Sequence, residues 1–195
     1  GGCRASSPQG QWLQADLAAN TKQCTLATFH QPRFFSSTEA GFTSSTIVTN
    51  LWNRLYAAGA DVVLNAQQHH YERFAPMTPT GVVDSVYGIK EFNVGTGGES
   101  VGMPTEIAAN SEVMAAAFGV LKLVLYPDRY SWQFVPMQGE TFTDAGSGTC
   151  HFAPPGGSNG SPTAAPGGSY SGVEGVEGSF DGSGSSDPDG DGLTY

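Results

Sequence analysis

The chain contains four histidines, and two of them stand where a side chain could do chemistry. In the stretch ADVVLNAQQHHYERF, a short apolar run ends in Gln67, Gln68, His69 and His70, followed by Tyr71, Glu72 and Arg73. In CTLATFHQPRF, the strand-like residues Leu26, Ala27, Thr28 and Phe29 lead into His30, and Pro32 closes off any further strand or helix. A neutral imidazole is a good donor to a borderline metal such as zinc or iron, and an imidazole at the same place could also act as a general acid. A single loop histidine is equally well explained by an ordinary hydrogen bond. Two independent strand ends that each deliver one favour a site.

The elements that must position these residues follow from the apolar pattern. Val62, Val63 and Leu64, preceded by a Gly59 stop, predict a buried parallel strand, and in open α/β sheets chemistry sits just beyond strand C-termini. A first helix is expected from Ser7 as N-cap and Pro8 in the first turn, with Trp12, Leu13 and Leu17 as its apolar stripe. A second should start after Ser44 or Ser45, carry Ile47, Leu51, Trp52 and Leu55 on one face, and end at Gly59. Each helix precedes a strand that ends in a histidine. Beyond Pro76 the pattern changes to strands at Ile89 to Val94, Leu121 to Leu125 and Tyr130 to Phe134, with Pro127-Asp128 as a hairpin turn, so this part should end as an antiparallel sheet edge. Adjacent Glu72 and Arg73 are expected to form an ion pair that braces the histidine loop. Gly95-Thr96-Gly97-Gly98 lacks the Lys-Ser/Thr of a P-loop and does not clearly open a helix, which argues against nucleotide binding.

Four blocks in order, CTLATFHQPRF, ADVVLNAQQHHYERF, EFNVGTGG and TFTDAGSGTCH, resemble the C-terminal half of a bacterial calcineurin-like metallophosphoesterase close to the purple acid phosphatases. The resemblance covers roughly residues 1–152 and implies an αββα sandwich that hydrolyses phosphomonoesters with two di- or trivalent metal ions, iron, zinc or manganese. His30 matches the ligand of the family's H-x-P block. In the G-H-x-H-x-Y-E-R block, the register of Tyr71, Glu72 and Arg73 places ligands at positions 67 and 69: His69 fits, whereas Gln67 stands in for a histidine and Ala66 for the glycine before it. His70 falls at the variable position. The family's D-x-H, G-D and G-N-H-E/D blocks, which supply the bridging aspartate and the other ligands, do not occur, so the resemblance implies a fragment with at most half a metal centre and no activity of its own. Such a half sandwich is expected to leave one face of its sheet and one strand edge without partners. Gln67 opens an alternative, a degenerate and inactive extracellular binding or adhesive module.

Composition narrows the partners. A net charge of −10 from 8 basic and 18 acidic residues argues against binding nucleic acid or anionic lipid, and no apolar run approaches the length of a bilayer span. Low lysine, abundant Gly, Ser and Thr, and three cysteines fit a secreted or extracellular chain. Three cysteines allow three single pairings; one that includes Cys150 is expected, because it ties down a domain terminus across a long loop.

After Phe152 the composition shifts. Residues 153–158 are expected to be a linker, and residues 159–195, which contain six acidic and no basic residues, to begin a second domain. GSFDGSGSSDPDGDGLTY resembles the opening of a PKD domain, an immunoglobulin-like β-sandwich, and implies contact with an extracellular polymer or surface. Asp187, Asp189 and Asp191 also fit the first half of a calcium loop, although Pro188 is unusual there and a turn-rich strand connector is the simpler role.

Overall fold

The computed structural model describes residues 2–154, 163–168, 170–172 and 181–186. The calcium ligands expected at Asp187, Asp189 and Asp191 lie outside these residues, as does much of the PKD-like stretch.

Helix α1 (Pro8–Ala19) starts as the sequence predicts: the Ser7 side chain accepts a hydrogen bond from the Gly10 N–H at 3.0 Å, and Pro8 occupies the first turn, where its missing N–H costs nothing. Leu13 and Leu17 lie against the core, but Trp12 is 61% exposed, so the apolar stripe is narrower than expected. Helix α2 (Thr49–Ala57) buries Leu51, Trp52 and Leu55, one face at helical spacing. Ile47 precedes it and is 68% exposed, which removes that residue from the predicted face. The chain turns out of α2 at Gly59, whose φ of +75° disfavours any side chain; a Cβ there would also lie 2.5 Å from the Ala153 nitrogen of the segment passing over it.

Five strands, β1 (Leu26–Thr28), β2 (Val62–Asn65), β3 (Tyr71–Phe74), β4 (Lys90–Val94) and β5 (Ser111–Ala115), form one sheet in the order β1-β2-β4-β3-β5. The first, second and fourth are parallel, while β3 runs antiparallel to β4 and β5. Alternation along each strand sends Val63, Asn65, Glu72, Phe74, Glu91 and Asn93 to one face and Val62, Tyr71, Arg73 and Phe92 to the other. On the first face, Val63 and Phe74 join Trp52, Leu55, Phe34 and Met77 in a core beneath the helices. On the second, Val62, Tyr71 and Phe92 meet Tyr130, Trp132 and Phe134 of a separate antiparallel sheet, β6 (Gly119–Leu125), β7 (Arg129–Pro136) and β8 (Ala145–Thr149).

The layers are therefore helix, sheet and sheet. The hairpin at Pro127-Asp128 is present, with Leu125 opposite Tyr130, but it belongs to the second sheet and not to an edge of the first. Both faces of the five-stranded sheet are covered. Among the described residues, the outer side of the second sheet is left open, with Val120 and Val135 opposite each other at 60% and 39% exposure, and the edges of the five-stranded sheet are β1 and β5.

Glu72 and Arg73 do not pair with each other, because neighbours on a strand point to opposite faces. Arg73 reaches the second sheet and binds Asp144 through Nε at 2.7 Å, and it also pairs with Glu112. Asp144 further accepts from the Tyr71 hydroxyl at 2.6 Å and the Trp132 indole at 3.0 Å. Burial alone would raise the Asp144 carboxyl, but these donors, Arg73 first, hold it below its ordinary value. Lys90, on the same face, donates to the Phe74 carbonyl at 3.0 Å and pairs with Glu112.

Of the pairings open to the sequence, Cys24 is bridged to Cys150, and Cys3 is free. The bridge spans 126 residues and joins the entry of β1 to the exit of β8. In the chain-entropy account such a loop removes about 5 kcal/mol of unfolded-state freedom.

Replacing Asp144 by Ala takes the shared acceptor from Arg73, Tyr71 and Trp132, leaving Arg73 only Glu112, and is expected to cost about 3 kcal/mol at neutral pH in urea denaturation. Because the folded carboxyl is held low, its contribution is complete above the unfolded value of about 3.9 and fades as pH falls below it. The wild type should lose stability through that window more steeply than the variant; equal slopes would show that Asp144 is not the lock.

Candidate functional site

The loop that carries His30 is held from below by polar side chains on the first sheet face. Asn65 donates from its amide to the Phe29 carbonyl at 2.7 Å and the Gln31 carbonyl at 3.3 Å. Glu91 accepts from the Arg33 N–H at 2.8 Å and the Phe34 N–H at 3.1 Å, and Asn93 donates to the Phe34 carbonyl at 3.1 Å. Glu72 accepts from both the N–H and the hydroxyl of Ser36. All four side chains are buried. Burial pushes the Glu91 carboxyl well above the usual carboxylate range. Burial would do the same to Glu72, but hydrogen bonds from His70 and Ser36 outweigh it and hold that carboxyl below its ordinary value.

The four predicted or neighbouring site residues separate in role. His70 is buried, and its Nε2 lies 3.1 Å from Glu72 Oε2, so it belongs to the clamp and not to the surface. His30, Gln67 and His69 are exposed on loops after β1 and β2. The backbone brings the first two together: the His30 carbonyl accepts from the N–H groups of Ala66 at 3.1 Å and Gln67 at 3.2 Å. Gln67 and His69 line one concavity of about 350 Å³ with Ser37, Ser100 and Met103. His30 lines another of similar size with Asn65 and Ala66, so adjacent residues 66 and 67 contribute one to each.

His69 Nδ1 lies 2.8 Å from Glu99 Oε2 and 3.0 Å from Ser100 Oγ, and the Ser100 hydroxyl donates to Glu99. In the tautomer in which Nδ1 donates to Glu99, Nε2 keeps the ring's lone pair, the form a metal ligand needs. The Glu99 side chain is 75% exposed, so this pair adds at most about 1 kcal/mol of stability and serves to orient the ring. Glu99 and Ser100 escape a reading of the sequence, since nothing in spacing alone joins them to a histidine about 30 residues away, Ser100 being 31 from it.

The donor set decides what metal the chain itself could hold. By residue type two imidazoles and a carboxamide suit a borderline divalent ion, but His30 opens on a different concavity from Gln67 and His69, and the three include no carboxylate able to bridge two ions, so they do not by themselves make a dinuclear centre. Among the described residues, the only cluster of three His, Cys, Asp or Glu ligand atoms is Cys24, Asp61 and Cys150, away from these loops and already closed by the disulfide.

Gly95 explains its block. A Cβ there would lie 2.0 Å from the Gln68 carbonyl oxygen and 2.5 Å from that of Ala66, so the GTGG segment is shaped for close backbone approach to the histidine loop. Gly102 N–H then bonds the His69 carbonyl at 3.0 Å, which fastens the far end of the same segment.

No family model matches the chain, and no curated protein sequence does. Among solved structures it is similar to the purple acid phosphatase PPD1 of yellow lupin (Lupinus luteus) seeds, at 18% identity and a TM-score of 0.64, over 74% of this chain and 28% of that one. It is also similar to GAP50, the anchor in the inner membrane complex of Plasmodium, at 16% identity and a TM-score of 0.55, over 73% of this chain and 41% of that one. PhoD matches at 12% identity and a TM-score of 0.49, over 76% and 33%. The first two likenesses show the fold alone: this chain has the α/β fold of part of each of these neighbours, and it spans only 28% and 41% of their lengths.

Gly95→Ala is expected to destabilise the chain by about 1–3 kcal/mol, because backbone oxygens cannot move aside as a side-chain tip can. Gly97→Ala, where a Cβ would meet nothing within 4 Å, should be near neutral. Thermal melts of the two variants side by side test the assignment, which fails if they shift equally.

Proposed function

We propose that the chain is part of the catalytic domain of a metal-dependent phosphomonoesterase and that His30 and His69, with Gln67 as a weak third donor, are its contribution to a dinuclear centre of iron, zinc or manganese. The observation that carries this is the placement of both histidines on adjoining loops after parallel strands β1 and β2, with His30 bonded through its carbonyl to Gln67. His30, Gln67 and His69 would hold the metal, which when bound would supply Lewis-acid polarisation of the phosphate ester and a water of lowered pKa. The chain's own part is positional. The buried row of Asn65, Glu72, Glu91 and Asn93 fixes the His30 loop, Gly95 lets the GTGG segment close on the His69 loop, and Glu99 turns His69 so that Nε2 is the donor.

A second reading has support of its own. Gln67 is a poorer donor than imidazole, and GAP50, which shares the fold, is described as an anchor. On that reading the chain is an inactive extracellular binding module, with the PKD-like region as the part that meets a polymer or a surface. Under either reading the protein is secreted, a placement supported by the disulfide, which suits an oxidising compartment. The described residues include no helix long and apolar enough to cross a membrane.

Equilibrium dialysis against Zn²⁺ and Mn²⁺ separates the two. On the catalytic reading the purified chain holds at most one ion weakly, Gln67→His tightens it by about tenfold or more, and His69→Ala abolishes it. No binding by the Gln67→His variant would favour the anchor. The 195-residue chain alone should not hydrolyse a generic phosphomonoester; metal-dependent turnover that His69→Ala removes would mean that the donor set is complete without further ligands.

A further inference from the structure

The segment that follows β4 is held at both ends and open in the middle. Gly95 packs against the Ala66 and Gln68 carbonyls, and Thr96 is buried, its hydroxyl donating to the Gly119 carbonyl at 2.8 Å. At the far end, Ser37 and Glu106 bridge through their backbones: the Ser37 N–H donates to the Glu106 carbonyl at 2.9 Å, and the Glu106 N–H to the Ser37 carbonyl at 2.8 Å. Residues 97–104 lie between these anchors. Gly97, Gly98, Glu99, Ser100, Gly102 and Met103 are exposed, and a Cβ at Gly97, Gly98 or Gly102 would meet nothing within 4 Å. Gly98 has a φ of +134°, which glycine adopts freely and other residues do not.

Among the described residues, every hydrogen bond and ion pair from 97–104 to the rest of the chain ends on His69. The ring Nδ1 faces Glu99 Oε2 at 2.8 Å and Ser100 Oγ at 3.0 Å, and the His69 carbonyl accepts from the Gly102 N–H at 3.0 Å. Ser100, Val101, Gly102, Met103 and Pro104 also form one wall of the cavity that Gln67 and His69 line. A single residue thus lines the cavity and fastens the segment that walls it.

We propose that residues 97–104 are a hinged strap that closes over this cavity when His69 binds a divalent metal through Nε2, with Glu99 and Ser100 as the positioning residues that couple the two events. The coupling rests on the metal-donor reading of His69. An imidazole that gives its Nε2 lone pair to a cation becomes a stronger donor at Nδ1, so its bond to the Glu99 carboxylate gains strength. That bond holds Glu99 and Ser100 to the ring, and Gly102 is kept near the His69 carbonyl by the same short tether. Without the metal the latch is an exposed pair worth little, and the glycines let the strap move between its anchors. Such coupling is reciprocal, so a strap that the metal orders must in turn tighten the metal. Metal-free His69 would leave the cavity accessible to an entering ion, and ligated His69 would shield it from bulk water.

Amide hydrogen exchange tests this on the 195-residue chain, with Zn²⁺ as the probe at a concentration that saturates the chain in equilibrium dialysis. Zinc should slow exchange in residues 99–103, and at the Gly102 amide above all, by about fivefold or more, while the hairpin at Pro127-Asp128 is unchanged. A Glu99→Ala/Ser100→Ala double variant removes only exposed side chains, so the fold is not at stake. It should bind zinc about tenfold more weakly and show no slowing at Gly102 even when saturated. Zinc that binds the parent without slowing this exchange overturns the strap and leaves the metal reading intact, and equal slowing in parent and double variant does the same. No zinc binding by the parent or by Gln67→His overturns both.

Discussion

Four buried polar side chains, Asn65, Glu72, Glu91 and Asn93, hold the backbone from Phe29 to Ser36 against the first face of the five-stranded sheet. Most of the candidate site rests on this contact. Backbone groups in a loop must be paired if they leave water, and a buried carboxylate or amide is costly unless something pairs it. The carboxylates and the loop N–H groups answer each other here, while the side-chain oxygens of Asn65 and Asn93 have no partner among the described residues. The strands supply acceptors and donors that no helix covers, and the loop supplies the N–H and carbonyl groups that they need. Removal of either side would leave the other unsatisfied, at a cost of about 1–3 kcal/mol for each group.

The second sheet is held by a different kind of bond. Asp144 gathers Arg73, Tyr71 and Trp132 into one cluster between the layers, and Lys90 with Glu112 extends it. A bare apolar interface would pack the sheets without choosing their rotation. Directional bonds to one carboxylate set which residues meet, so Phe92 and Trp132 come together at 5.4 Å, and Tyr71 and Phe134 at 4.9 Å. Position is thus settled on the first face by a polar clamp and on the second by an ionic lock, with the strands that carry both at the centre. The Cys24–Cys150 bridge then closes the ends on each other.

Strand β3 shows why part of the site is hidden in the sequence. Tyr71, Glu72, Arg73 and Phe74 read as a charged continuation of the histidine loop, because charged residues are rare in buried strands. In the fold they form a central strand, with Glu72 turned to the His30 loop and Arg73 to the second sheet. Their partners, Ser36 and Asp144, lie 36 and 71 residues away, beyond any local pattern. Strands β5 and β8 are hidden for a related reason: SEVMA and AGSGT have little apolar alternation, and they become strands because β3 and β7 offer them an edge.

Taken alone, the residue order settles local features: the Ser7-Pro8 start of α1, the buried face of α2 and its stop at Gly59, the apolar strand before His69, the hairpin at Pro127-Asp128, and the substitution of Gln67 where the resembled family has a histidine. These follow from side-chain period, backbone φ and residue type, which are properties of a few neighbouring residues. Folding is what makes His70 a clamp residue, lets Glu99 orient His69, turns Gly95 into a point of close approach, and brings Asp61 and His151 to the disulfide. Apart from His70 with Glu72 and His151 with Cys150, which are near neighbours in the chain, those roles pair groups that no local pattern joins, and such pairings exist only once two faces of the same sheet have been covered and the strand order has set which ends come together.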